Sequence, residues 1–364
     1  TDQGVTGTPA LPMDINYVKG GMWDMHHDWD MGNDISLKTD VFYQKMRHLM
    51  SNNILRTPAN AMTNRTKVEA GGISMALAMP FNSGQLTVGV DGDQSNHDAN
   101  STMTMMGGTS ATNYFNKVER DRYSIFTEWA GAVSEDISVE LGARYTHTWS
   151  DAGDVSSEIA MGATSRTNAS NAFNALERTK NYNLVDLVAE LQFNASSELD
   201  VNVGVARKNR APTYQELYLW YGSAANAGFA DGKTYIGDTG LEAETAYQFD
   251  LGLDWHTADV YVAPNVFYHY VEDYIMGQTS VKAQGGTGND YDADLQWSNI
   301  GGAQFFGAEL EAGYKFTDHI RTDASLNYVR GMRINALNGD DDLYRIAPLN
   351  GRLQLTYEES NWST

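Results

Sequence analysis

The sequence predicts an antiparallel transmembrane β-barrel. Three observations predict it: apolar and polar side chains alternate strictly, the alternation recurs in about 13 segments, and the connections alternate short and long without exception. Side chains on a strand point to opposite faces with period 2, so strict alternation marks a strand with one apolar and one polar face. Segments of roughly 10 residues or more suit a bilayer crossing, whereas the strands of a soluble sandwich run to about 5–6.

Taken in order, the segments cover 12–30, 34–50, 67–79, 84–93, 121–133, 137–149, 181–194, 199–208, 243–256, 259–272, 298–316, 319–331 and 348–358. The pattern is clearest from Ile137 to Trp149. There Ile137, Val139, Leu141, Ala143, Tyr145 and Trp149 share one face, and Ser138, Glu140, Gly142, Arg144, Thr146 and Thr148 the other. Leu199, Val201, Val203 and Val205 oppose Asp200, Asn202 and Gly204. Tyr247, Phe249, Leu251, Leu253 and Trp255 oppose Gln248, Asp250, Gly252 and Asp254. Ala308, Leu310, Ala312, Tyr314 and Phe316 oppose Glu309, Glu311, Gly313 and Lys315. Trp129, Trp149, Trp255, Tyr145, Tyr314 and Phe316 lie on apolar faces near strand ends. They suit an interfacial girdle, and cross-strand aromatic pairing would place them equally well.

The short connections are Gly32-Asn33, Phe81-Asn82-Ser83, Ser134-Glu135-Asp136, Ala195-Ser196-Ser197, Thr257-Ala258 and Thr317-Asp318. The long ones cover 51–66, 94–120, 150–180, 209–242, 273–297 and 332–347. Outer-membrane barrels have short periplasmic turns and long extracellular loops. Segment 12–30 therefore runs down toward the periplasm and 34–50 runs up. An odd strand count, an opening partway through a loop, no signal peptide at Thr1 and an ending as a turn begins predict a partial barrel, with residues 1–364 a single domain. An unclosed barrel of this kind is expected not to insert alone as a stable monomer.

Composition narrows the function. The chain of 364 residues carries a net charge of −22, which disfavours nucleic acid as a partner. Cysteine is absent, so soft-metal chemistry in this chain falls to the 15 methionines and 8 histidines. Ser, His and Asp are scattered over different strands without a local catalytic signature, so no enzyme is predicted.

Three stretches resemble TonB-dependent receptors of the outer membrane. Arg207-Lys208-Asn209-Arg210-Ala211-Pro212-Thr213-Tyr214-Gln215-Glu216-Leu217-Tyr218 is similar to the family's Arg-Ala-Pro stretch followed by Glu-Leu-Tyr, where an up-strand enters an extracellular loop. Gly240-Leu241-Glu242-Ala243-Glu244, leading into Tyr247-Gln248-Phe249-Asp250-Leu251-Gly252, looks like the family's Leu-x-Pro-Glu start of a down-strand, with Ala243 where Pro is usual. Asn299-Ile300-Gly301-Gly302-Ala303 and then Gly307-Ala308-Glu309-Leu310-Glu311 resemble its Asn-x-Gly segment ending in Gly-x-Glu. The resemblance implies a Gram-negative outer-membrane location, a 22-stranded barrel around an N-terminal plug, and energy coupling through the TonB complex. The plug, the TonB-contacting box and several first and last strands lie outside this sequence.

A narrower resemblance is to the copper-receptor branch of that family. It rests on Leu11-Pro12-Met13-Asp14 and on Arg47-His48-Leu49-Met50-Ser51-Asn52-Asn53 at the top of an up-strand, where the branch carries a His-x-Met pair that ligates copper. Copper would be transported cargo, with no prosthetic group. Strand parity supports the placement. Ile35, Leu37, Val41 and Tyr43 form the lipid-facing row of 34–50. Ser36, Lys38, Asp40 and Gln44 form the lumen row, and its continuation puts Met46, His48 and Met50 inward, provided no β-bulge intervenes. Thioether and imidazole suit soft Cu(I); the plain structural alternative is a gap-filling Met and a hydrogen-bonded His.

Segment 22–31 tempts as a second metal cluster. There Trp23, Met25, His27, Trp29 and Met31 share the lipid face, and Met22, Asp24, His26 and Asp28 the lumen face. Only Met22 and His26 qualify as ligands, and His26 sits low. Met103, Met105 and Met106 in loop 94–120 would either capture copper or pack the loop on the barrel mouth. Asp340, Asp341 and Asp342 suit a solvated acidic loop better than a calcium site. The alternatives to copper import are a receptor for an iron-siderophore or cobalamin-type chelate, a passive porin, or a barrel enzyme. Outer-membrane lipid is a partner in every case.

Overall fold

The computed structural model describes residues 3–4, 13–105, 108–158, 164–221, 233–279, 293–334, 341–359 and 362–363. Its frame is a single antiparallel sheet of thirteen long strands in sequence order. They are β1 (Asp14–Gly32), β2 (Ile35–Ser51), β3 (Ala61–Phe81), β4 (Gly84–Met105), β5 (Gly108–Ala132), β6 (Ile137–Asp151), β7 (Lys180–Ser196), β8 (Leu199–Arg210), β9 (Glu244–His256), β10 (Val260–Glu272), β11 (Gly302–Thr317), β12 (Ile320–Ile334) and β13 (Asn350–Glu359). Each strand pairs with its neighbour in the chain, as an up-and-down barrel wall requires. Among the described residues β1 and β13 are not paired with each other.

Of the predicted boundaries that shift, most move outward into segments expected to be loop, whereas β1, β9, β11 and β13 start one to four residues later than predicted. The strands reach from 10 residues in β13 to 25 in β5. The stretch expected as loop 94–120 is mostly a hairpin, with β4 running on to Met105 and β5 starting at Gly108. Likewise β3 begins at Ala61, inside the expected loop 51–66. Polar, β-compatible residues such as Asn100, Ser101, Thr102 and Thr112 carry the ladder above the bilayer without apolar alternation, so periodicity alone misses them.

At the end expected to face the periplasm the turns stay tight. Asn33 and Asp34 both have positive φ, 54° and 58°, the left-handed pair of a two-residue type I′ hairpin, which Asn and Asp tolerate best after Gly. Several inner-face glycines let an aromatic ring lie across the next strand. A Cβ on Gly313 would fall 2.2 Å from the Tyr261 ring, and one on Gly307 would fall 2.6 Å from the Phe267 ring.

The buried core lies at the end of the sheet away from the tight turns, where strand ends meet the long connections. Tyr114, Phe115 and Val118 of β5 and Tyr182 of β7 form one cluster there with Leu217, Tyr218, Tyr235 and Trp297. Of the two helices among the described residues, α1 (Thr164–Asn174) and the short α2 (Tyr214–Tyr218), α2 sits in it. Thr213 caps α2, its hydroxyl accepting from the Glu216 N–H while the Glu216 carboxylate accepts from the Thr213 N–H. Beside it lies a small sheet of Tyr235–Ile236, Leu295–Asn299 and Ile275–Thr279, contributed by two different long loops.

Candidate metal site at the extracellular mouth

The inner and outer faces of the wall are settled by contacts. On the inner face, Arg122 pairs with Asp93, Arg144 pairs with Asp91, and Arg144 also stacks over the Phe126 ring. On the outer face, Val41 stands beside Ile73, and Thr39, Met75 and Val90 stand side by side. By that division Met46, His48 and Met50 all lie on the inner face near the top of β2.

Parity depends on where the bulges are. β2 and β3 pair without interruption from Ser36↔Ala78 to Ser51↔Thr63, so β2 carries none. The irregularity between Ile15 and Tyr17 falls on β1, at Asn16, and leaves Ile15 opposite Met50 and Val18 opposite His48. His48 Nε2 is closed off from solvent and lacks a hydrogen-bond partner. Asn16 Oδ1, Ser51 Oγ and Ser101 Oγ, at the same end of these strands, are buried and unpartnered too. A buried polar atom without a partner costs about 1–3 kcal/mol, so His48 stands ready to be offset by a ligand. Met46 sits one inward position lower and is half exposed.

The other predicted ligands separate from this group. Both nitrogens of His26 face carboxylates, Asp40 at 2.6 Å and Asp28 at 3.1 Å. His26 stands opposite Asp40, which is eight positions before His48 on β2, roughly 26 Å away along the strand at about 3.3 Å per residue. Met22 lies opposite Gln44 on the inner face and is 71% exposed. Met103 is on β4, not in a loop, and stands opposite Met62 of β3. The Met105 side chain and all of Met106 lie outside the described residues, as do Leu11, Pro12 and Asp340. Asp342 pairs with Arg330 at 3.0 Å, and among the described residues no group of three or more His, Asp or Glu could hold a metal.

Sequence reasoning missed Met62. It is nearly buried, faces inward with Met103, and lies opposite Asn52, which donates and accepts across the pair. Its signal was present in Met62, Asn64, Thr66 and Val68, the lumen row of β3, but it fell in a stretch taken as loop. The inner rows therefore run Met46–Val68–His97, His48–Thr66–Ala99, Met50–Asn64–Ser101 and then Met62–Met103. His97 in turn stacks on Tyr214 of α2 at 4.1 Å, so the loop cap abuts this part of the wall.

The three stretches singled out in the sequence meet at the rim. Arg210 at the end of β8 binds Glu216 of α2 at 2.8 Å and Glu244 at the start of β9 at 2.6 Å. The other oxygen of Glu244 accepts the Ile275 N–H at 2.7 Å. Asn299 accepts from the Glu242 N–H at 2.9 Å and donates to the Glu242 and Asp273 carbonyls. A family model described as the β-barrel of TonB-dependent receptors matches residues 3–364. The chain belongs to the TonB-dependent receptor family.

Solved receptors share its fold. A copper transporter, OprC, superposes with a TM-score of 0.76 at 21% identity, over 96% of this chain and 51% of that one. The ferric citrate transporter FecA gives 0.62 at 13% identity, over 96% and 48%. The ferric yersiniabactin uptake receptor FyuA from Yersinia pestis gives 0.59 at 15%, over 96% and 49%. This receptor chain spans about half the length of the structures it matches. No curated protein matches it.

Proposed function

We propose that this receptor chain forms the barrel wall of a Gram-negative outer-membrane importer of copper ions, with His48 and Met50 as wall ligands. The observation that carries the reading is His48 itself. Its Nε2 is buried and unpartnered on the inner face, two positions from a thioether on the same row, at the end of the strand that a cargo meets first. Imidazole and thioether match the softness of Cu(I), and a polar atom left without a partner is what a ligand would satisfy. Met46 below and Met62 and Met103 above add thioethers along the same face.

By family resemblance, energy from the inner membrane, delivered by TonB, would rearrange a plug that supplies the remaining ligands and release the ion inward. The chelate alternative is less well served by this wall. Arg122 and Arg144, which could attract an anionic siderophore, are already engaged by Asp93 and Asp91. The likeness to the copper transporter supports the copper reading only through the fold.

The test is metal content. The full-length protein, purified in detergent after growth with copper, is expected to carry stoichiometric copper that the His48→Ala/Met50→Ala double variant loses. Copper in neither protein would sink the copper reading and leave the barrel untouched.

A further inference from the structure

The outer face of the same strands carries a feature that import does not use. On β1–β3 the outward rows rise through Val41, Ile73 and Met75 to the aromatic pair Trp23 and Tyr43. Directly above, the side chains become cationic. Lys19, Arg47 and Lys67 stand opposite one another in a single cross-strand row on three adjacent strands. Lys45 lies one outward position below and Arg65 one above. Lys19, Arg47, Arg65 and Lys67 are all exposed.

Two carboxylates share the patch. Glu69 is taken by Lys45 at 3.0 Å and by the Tyr43 hydroxyl at 2.7 Å. Asp98, beside Lys67 in the same row, accepts the Lys117 backbone N–H at 2.8 Å. Like charges directly opposite on a sheet destabilise it, yet a chain of net charge −22 gathers five cations here. Their height identifies what offsets that cost. A band about 25 Å tall, crossed by strands tilted near 40°, takes up roughly 10 residues. Counted upward from the Asn33–Asp34 turn, the band ends near Lys45. The cations therefore stand at the headgroup level of the outer leaflet.

We propose that this face binds the phosphates of lipid A, the phosphorylated glycolipid of the outer leaflet of a Gram-negative outer membrane. Acyl chains would lie along Val41, Ile73 and Met75, and the sugar phosphates would meet Lys19, Arg47 and Lys67. The guanidinium fork of Arg47 and the ammonium groups of Lys19 and Lys67 can donate hydrogen bonds to phosphate, and charge complementarity selects an anionic headgroup over a zwitterionic one. The proposal rests on the upward direction of β2 and not on copper.

The protein, extracted from membranes and stripped of lipid in detergent, is titrated with bisphosphorylated lipid A beside a Lys19→Gln/Arg47→Gln/Lys67→Gln variant. Monophosphorylated lipid A, phosphatidylglycerol and inorganic phosphate serve as comparison ligands. The triple variant is expected to lose roughly 100-fold in affinity, at about fivefold per cation. The monophosphorylated lipid should bind more weakly than the bisphosphorylated one. A loss below tenfold, or phosphatidylglycerol binding as tightly as lipid A, would overturn the proposal. Displacement of lipid A by equimolar inorganic phosphate would overturn it as well. Folding is checked by heat-modifiable migration on gels. If the triple variant does not fold, Arg47→Gln alone should still lose severalfold, and unchanged binding there counts against the proposal. Copper content of the same preparations reads the import site separately and should not change.

Discussion

Arg210 shows how much one side chain holds at the rim. It joins Glu216 and Glu244, whose carboxylates are nearly buried, and Glu244 also holds the Ile275 N–H. Arg210→Ala would leave two buried carboxylates without their cation, which costs more than the pair is worth when intact. We expect a loss of about 2–3 kcal/mol, discounted because the Arg side chain is partly exposed, read as a lower thermal unfolding midpoint in detergent. Arg210→Lys should recover only part of it, since a single ammonium cannot reproduce the guanidinium fork. Both glutamates and the arginine were legible as motif residues, but their mutual contact was not. Glu216 is six positions from Arg210 but Glu244 is 34 away, and only the folded rim brings all three together.

Among the strands, inner-face glycine positions set how closely neighbours approach. At Gly307 a Cβ would stand 2.3 Å from the Tyr328 carbonyl oxygen and 2.6 Å from the Phe267 ring. The first of these is backbone and cannot swing away. Gly307→Val should therefore destabilise the β10–β11–β12 wall by about 1–3 kcal/mol and lower the yield of heat-modifiable barrel. An outer-face substitution of similar size, such as Ala308→Val, should leave both unchanged. Strand identity and face were readable from period-2 alternation over the lipid band. Strand ends were not, because in the upper parts of β4 and β5 the strict alternation is lost and the ladder continues without a regular apolar row. That is why Met103 reads as a loop residue and stands on a strand, and why Met62 passes unnoticed.

For the whole molecule, the loop cap is tied across its span by Asp294. Its carboxylate accepts from the Thr234 N–H and hydroxyl, both at 2.8 Å, joining two loops 60 residues apart. The backbone hydrogen bond from Thr234 holds the Asp294 carboxyl below its ordinary value of 3.8, with the Thr234 hydroxyl and Lys233 adding to it. A carboxylate depressed in the folded state stabilises fully above its unfolded value, and that contribution is lost as pH falls through the folded one. Pepsin cleavage within 233–279 should thus rise as pH drops below about 4 in the wild type. In Asp294→Asn it should already be elevated and should change less with pH; a flat wild-type profile would contradict the assignment.

By itself the sequence determined the barrel class, the thirteen long strands and their antiparallel order, and it placed Met46, His48 and Met50 on one face on the condition that β2 holds no bulge. These follow from local alternation and from turn length, which need no knowledge of distant residues. Tertiary structure alone decided that the bulge falls on β1 and spares β2, that His26 is occupied by Asp40 and Asp28, and that Lys19, Arg47 and Lys67 form one row. Register is a property of paired strands, and a one-residue slip would have moved every one of these side chains to the other face.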